Sequence, residues 1–405
     1  MPQPKRHRAR VSLKMSAKSR QEVLEQARQH YRRWGRQGRS RLLDEVCALC
    51  GYERKYAIKV LGGKRRIAGT GVRPRGGSQP LYGEAERQVI KVIWLAAEQP
   101  CGKRLKVALA LWLPYYEAER GSLEEGLRER ILILSAATID RLLEPCRVAL
   151  GSRVRCGTRP GTLLRKQIPV RTEHWDVVGP GWMEADTVAH CGESMEGDFC
   201  WSLTMTDVHT QWTETRAIWN KGQHAVRQRV GEVESTLPFL ILGFDSDNGG
   251  EFLNWHLADY FLQRPVPVAF TRSRPYHKND NARVEQKNWT HVRQLVGYGR
   301  LDQPEQAELL NDLYAREWGW FRNFFCPTMK HIRTEVEGSR KKRIYDQPMT
   351  PFERLKACPG ADPQQVKRME KLKATLNPFK LKATIERKLR RVLRIANPPR
   401  LKSAA

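Results

Sequence analysis

The sequence predicts a mixed α/β fold, with a mixed sheet flanked by helices in the middle of the chain, helical units before it and a basic helical region after it. Three observations point there. Between about 170 and 300, apolar and β-branched runs follow the order strand, strand, strand, helix, strand, helix, strand, helix. On either side the apolar spacing is helical. Charge divides the same way: residues 171–300 carry 13 Lys+Arg against 17 Asp+Glu, while 1–170 and 301–405 have net charges of +21 and +11 within a formal total of +28 at pH 7. Basic ends suit a polyanionic partner, and a mildly acidic middle must do something else.

A length of 405 residues exceeds one ordinary domain. Composition shifts divide it into a helix-turn-helix region at 1–70, a basic Gly/Arg/Pro linker at 71–83, a second helical DNA-binding domain at 84–168, the sheet-bearing core at 169–300 and a helical, basic region at 301–405. No apolar run approaches the roughly 18 residues of a membrane span. The basic N-terminal segment lacks the apolar stretch of a secretory signal, so a cytoplasmic, nucleoid-associated protein with no membrane partner is expected. Nine scattered cysteines argue for free thiols. Cys47 and Cys50 form a lone CxxC inside an apolar helical pattern and read as core thiols.

The first compact pattern is SRLLDEVCALCGYERKYAIKVLGG. Leu42, Val46 and Leu49 follow helical spacing and Gly51 offers a tight turn. A short basic helix follows, with Ile58 and Leu61 inward and Arg54, Lys55 and Lys59 outward. Helix, turn, basic helix is a DNA-binding pattern. In LSAATIDRLLEPCRV, Ser135 is a suitable N-cap for a helix carrying Thr138 and Arg141, which reads as a second such unit. Within the core, PFLILGFDSD reads as a strand and DNARVEQKNWTHVRQLVGY as one helix. After 300, KHIRTEVEGSRKKRIYD reads as a hairpin turning at Gly338, and FKLKATIERKLRRVLRIA as a strongly basic helix.

Three acidic positions stand out. Asp186 falls within the first strand, in WMEADTVAH. Asp247 falls where a later strand ends, in FDSDNGGEF, and Glu285 lies one turn into a helix. Carboxylates so placed can converge at one edge of a sheet. Hard cations such as Mg2+ take few protein carboxylates, and two such ions can serve an in-line phosphoryl displacement. Glycines 249 and 250 leave room for a phosphate backbone. Two alternatives stay open: Asp245 competes with Asp247, and Glu184, two residues before Asp186, shares its strand face. Asp247 is preferred because Asn-Gly follows it directly.

At these residues the chain resembles the DDE transposases and retroviral-type integrases, specifically a bacterial insertion-sequence transposase. EADTV, SDNGGEF and RPYHKNDNARVEQKN carry the resemblance, which covers about 170–300. It implies an RNase H-like core, with Asp186, Asp247 and Glu285 as the catalytic, metal-binding triad and two Mg2+ or Mn2+ ions per site. It also implies double-stranded DNA partners (element ends and target), DNA cleavage followed by strand transfer, and a homo-oligomer on DNA. The last spacing departs from the commonest pattern, since 37 residues separate Asp247 from Glu285 rather than 35.

Near the triad, Tyr276, His277, Lys278, Lys287 and Arg293 are read as DNA contacts. Trp182, Trp201, Trp212 and Trp289 are read as core residues. Two rivals share the sequence: a metal-dependent nuclease that cuts without joining, and a helix-turn-helix regulator with a dead core.

Overall fold

The structure, a computed structural model, describes residues 16–62, 81–149, 177, 179–246, 249–252, 254–272, 282–337 and 340–396. The chain divides into two compact units, Met1–Gln79 and Pro80–Ala405.

The first unit is a three-helix core: α1 (Ala17–Arg33), α2 (Arg36–Cys50) and α3 (Arg54–Gly62). Gly51 ends α2 in the left-handed region at φ 68°, where a Cβ is costly, and the chain turns straight into α3. Leu24, Ala27, Leu42, Leu43, Val46, Cys50, Ala57 and Leu61 fill the interior. Two apolar residues expected inside are outside: Ile58 is 44% exposed and Leu49 56%. The buried row of α3 is Ala57 and Leu61, one turn apart, which points Ile58 about 100° away. Cys50 is buried and Cys47 half-buried, both as free thiols.

In the second unit α4 (Glu84–Ala96), α5 (Gly102–Arg120), α6 (Glu125–Ile133) and α7 (Ala136–Ala149) precede the sheet. Ser135 caps α7, its Oγ accepting from Thr138 N at 3.1 Å. These helices share one hydrophobic core with the sheet and the C-terminal helices. Trp112 of α5 donates through Nε1 to Phe325 O at 2.9 Å and meets Phe321, Phe325 and Phe379 edge-on.

The sheet comprises β1 (Trp182–Ala189), β2 (Cys200–Asp207), β3 (Thr213–Trp219), β4 (Gly243–Ser246) and β5 (Ala269–Arg272). Its spatial order is β3-β2-β1-β4-β5. The first three strands are antiparallel, while β4 runs parallel to both β1 and β5. That is the mixed order an RNase H-like core requires. Interleaved with the strands are α8 (Gln223–Thr236), α9 (Trp255–Leu262) and α10 (Ala282–Lys287). β4 is shorter than the apolar run predicts: Leu240 and Leu242 precede it and are 78% and 43% exposed. Pairing starts only after the turn at Gly181, whose carbonyl accepts from both Leu242 N and Gly243 N.

Helices cover both faces of the sheet. Glu184 and Asp245 are register partners and point the same way, and Glu184 meets α10. Phe244, next to Asp245, therefore faces the other side, where it meets Phe261 of α9 with ring centroids 4.9 Å apart.

The single long helix predicted after the loop is interrupted. A π-helical segment, Asn288–Arg293, separates α10 from α11 (Gln294–Val296). Trp289 within it is 37% exposed rather than a core residue. Beyond α12 (Pro304–Leu313) a second π segment, Tyr314–Trp318, leads into α13 (Gly319–Phe325). The two π segments touch, with Trp318 Nε1 donating to His291 O at 2.9 Å.

The hairpin is β6 (His331–Glu337) and β7 (Arg340–Tyr345), and Gly338 between them lies outside the described residues. It is followed by α14 (Pro351–Lys356), α15 (Pro363–Ala374) and the basic α16 (Pro378–Ala396). No helix of the described residues is long and apolar enough to cross a membrane.

Candidate active site

β1 carries the site. Glu184 and Asp186 stand two residues apart on one strand face. α10 lies along that face and touches Glu184, and Asn288, the first residue of the π segment that continues it, touches Asp186. Arg283 Nη1 donates to Glu184 Oε1 at 2.8 Å, Val284 N donates to Glu184 Oε2 at 3.3 Å, and Asn288 Nδ2 donates to Asp186 Oδ2 at 2.7 Å. Four residues of helix and two of strand both advance about 6 Å, so helix and strand keep step. Glu285 stands three residues before Asn288, on the same helical side, and is exposed. Asp186 thus stands on the middle strand of the sheet, and the helix crossing it carries Glu285 three residues before Asn288, the partner of Asp186.

The other two carboxylates on this face are interior. Glu184 is fully buried against Arg283. Asp245, also fully buried, accepts from Thr271 Oγ1 at 2.6 Å. β4 ends at Ser246, opposite Ala185, the residue before Asp186. Asp247 and Asn248 lie outside the described residues, as do Tyr276, His277 and Lys278.

Asp186 sits in a polar surround that sequence reasoning only partly anticipates. Its Oδ1 accepts from Thr187 N at 2.7 Å. Thr187 Oγ1 donates to Glu251 Oε1 at 3.0 Å, and Glu251 is buried and ion-paired with Lys221. A Cβ at Gly249 would fall 2.5 Å from Glu251 Oε2, so a larger residue there would have to displace that carboxylate. Thr204 is the register partner of Asp186 and so faces the same way. Thr204 Oγ1 and Asn288 Oδ1 are buried with no hydrogen-bond partner among the described residues. Glu251 belongs to the SDNGGEF stretch, so the sequence does signal it. Asn288 is signalled only by its helical spacing from Glu285.

The expected DNA-contacting residues have varied settings. Lys55 and Lys59 are exposed on α3. Arg54 is ion-paired with Asp44 and donates to Ser40 Oγ at 2.6 Å. Thr138 and Arg141 bond to each other at 3.1 Å at the start of α7. Lys287 is 4% exposed with no acidic partner among the described residues. Burial, and then the charges of Arg322, Arg104 and Arg354, push its ammonium well below the usual lysine pKa. The sequence reads Lys287 as a DNA contact, but α10 turns it inward, toward the charges of Arg322 on α13, Arg104 on α5 and Arg354 on α14. Arg293 is turned to its own unit, donating to Ala189 O at 2.9 Å and Gly297 O at 3.3 Å.

The uncharacterized protein y4rM of Sinorhizobium fredii (strain NBRC 101917 / NGR234) is 36% identical over 362 residues, covering 86% of this chain and 98% of its own. The chain belongs to the y4rM family. No family model matches it. Two solved structures are similar in part. The HTLV-2 integrase catalytic core domain, in complex with magnesium and in dimeric form, is 12% identical and covers 37% of this chain and 92% of its own, with a TM-score of 0.27. The catalytic core domain of BIV integrase is 14% identical and covers 43% and 93%, with a TM-score of 0.29. At such scores the fold of this y4rM-family chain rests on its strand order and not on these likenesses.

Proposed function

We propose that this y4rM-family chain is a DDE-type polynucleotidyl transferase, a bacterial insertion-sequence transposase that cuts DNA at element ends and joins them to target DNA. The observation that carries the reading is the crossing of α10, and the π segment that continues it, over β1. Through Asn288 it ties Asp186 to the helical side that bears Glu285. Asp247, the third member, is assigned from the sequence motif alone.

The donor set fits a hard divalent cation. Asp186 offers carboxylate oxygens from a half-buried position on the middle strand, and beside it Thr204 Oγ1 and Asn288 Oδ1 are buried and, among the described residues, accept from nothing. Asp186, Asp247 and Glu285 would hold Mg2+ or Mn2+. When bound, such ions activate the attacking oxygen and stabilise the leaving one. The chain's own residues do the rest. Asn288 and Thr187 N fix the Asp186 carboxylate. Glu184 anchors the start of α10, and Glu251 braces Thr187 and the glycine turn. The exposed cations of α3 supply DNA affinity through phosphate contacts, with the Gly51 turn setting α3 against α2 as in a helix-turn-helix.

The test is a strand-transfer assay. Wild-type chain and the Glu285→Gln variant would each meet DNA bearing the element's own ends, a supercoiled plasmid and Mg2+ or Mn2+. Joined products from the wild type alone are expected. Cutting without joining would replace the reading with a nuclease, and binding with neither reaction would replace it with a regulator.

A further inference from the structure

The fold uses only one side of α16. That helix buries Leu381, Ile385 and Val392, and Gln306 of α12 donates through Nε2 to Val392 O at 3.1 Å. The opposite side carries Arg387, Arg390, Arg391 and Arg394, all exposed. Their spacing of i, i+3, i+4 and i+7 puts them on one helical face over about 10 Å of axis. There a groove of about 470 Å³ lies between α12 and α16, lined by these four and by Leu309, Lys388 and Asp312. Those last two satisfy each other: Lys388 Nζ stands 2.7 Å from Asp312 Oδ2 and 2.7 Å from Glu317 Oε2. Among the described residues no carboxylate pairs with Arg387, Arg390 or Arg394, and Arg391 reaches Glu305 only at 3.9 Å. Three guanidinium groups without a counter-charge among the described residues, beside a fourth that is only loosely paired, repel one another and attract a polyanion.

We propose that the α12–α16 groove is a DNA-contact surface in its own right, gripping the phosphodiester backbone of a duplex without reading bases. The proposal rests on the transferase reading, which makes duplex DNA the polyanion at hand. Guanidinium forks bind phosphate oxygens in bidentate fashion. The length of the arginine face is close to the roughly 12 Å width of the major groove, so its two ends can reach phosphates on both strands. A lipid surface fits worse. A basic helix binds a membrane by inserting its apolar face, and that face of α16 lies in the core.

The test measures affinity of the full chain for a labelled duplex over a series of KCl concentrations, without metal. Replacing Arg387, Arg390, Arg391 and Arg394 by Gln together should lower the slope of log Kd against log salt by about 3 to 4, at roughly 0.9 for each phosphate no longer neutralised. Gln at Lys367, Arg368, Lys371 and Lys380 removes the same charge elsewhere on the surface and should change the slope by less than about 1. Should the fourfold variant misfold, the pair Arg387→Gln and Arg394→Gln should still lower it by about 2. An unchanged slope in the arginine variants, or an equal drop in the control, overturns the proposal. So does a larger affinity loss for duplex RNA or for phosphatidylserine vesicles than for duplex DNA. The readout needs no chemistry. A chain that never cuts DNA but shows the expected drop in slope supports the groove and removes the transferase reading, whereas one that cuts and joins with an unchanged slope does the reverse.

Discussion

His190 is the side chain whose setting has the clearest consequence for stability. It is fully buried. Its Nε2 shares a hydrogen bond with Ser202 Oγ at 2.8 Å, which in turn bonds Tyr314 Oη at 3.0 Å, while Nδ1 has no partner. Burial, with the charge of Arg293 behind it, lowers the ring's pKa to about 3. The unfolded ring titrates near 6.5. Between those values the unfolded chain binds a proton that the folded chain refuses. The stability this group contributes is therefore whole above about pH 6.5 and falls by about 1.4 kcal/mol per pH unit as acid is added. Urea melts of His190→Gln across this window should show a shallower fall than wild type. The part that remains belongs to groups such as His291, also pushed down by burial and then by Arg322 and Lys287. Lys287 offers a second test. Lys287→Met keeps its length and removes a desolvated ammonium, so it should raise stability by about 1–2 kcal/mol and leave duplex affinity unchanged. A drop in affinity would restore the DNA contact that the sequence suggests. Asp186→Asn should cut turnover by roughly a thousandfold or more while sparing DNA affinity, measured by single-turnover cleavage beside anisotropy. Asp186 and Glu285 could be singled out because their motifs are local in sequence. The burial of Lys287 could not, since tertiary packing alone turns α10 that way.

Strands and helices follow their sequence patterns closely where a face is buried, and depart where a turn intervenes. The order of eight elements in the core is legible because alternating and helical periods change cleanly along it. The length of β4 is not, because PFLILGF is apolar throughout while pairing waits for the turn before β1. That turn is Gly181, at φ 110°, where a Cβ would meet Leu240 O at 2.4 Å. Gly181→Ala combines a forbidden backbone region with a backbone clash and should destabilise the second unit by about 2–3 kcal/mol, read as a lower denaturant midpoint at unchanged m-value. The interrupted helix is equally illegible. One surplus residue in a turn leaves the apolar period nearly intact.

For the chain as a whole, two compact units of unequal size carry separate cores. Among the described residues the smaller closes on eight buried apolar side chains, which is little for independent stability. Calorimetry should resolve two transitions, the lower lost when residues 1–79 are deleted and the upper kept. A single transition in the full chain that vanishes on deletion would contradict this. The basic ends were legible from charge alone. The shared core of α4–α7 with the sheet was not, since nothing local in sequence links Trp112 to Phe325. The contact between the two π segments extends that kind of linkage across the molecule. A residue inserted into a helix turns everything after it by about 100°, so each segment sets the angular phase of the helix that follows. Because the indole of one satisfies a carbonyl of the other, neither phase can be reset alone. Removing the extra residue from 288–293 would strand Trp318, and removing it from 314–318 would strand His291. Changes of length at these two places, far apart in sequence, should be viable only when made together.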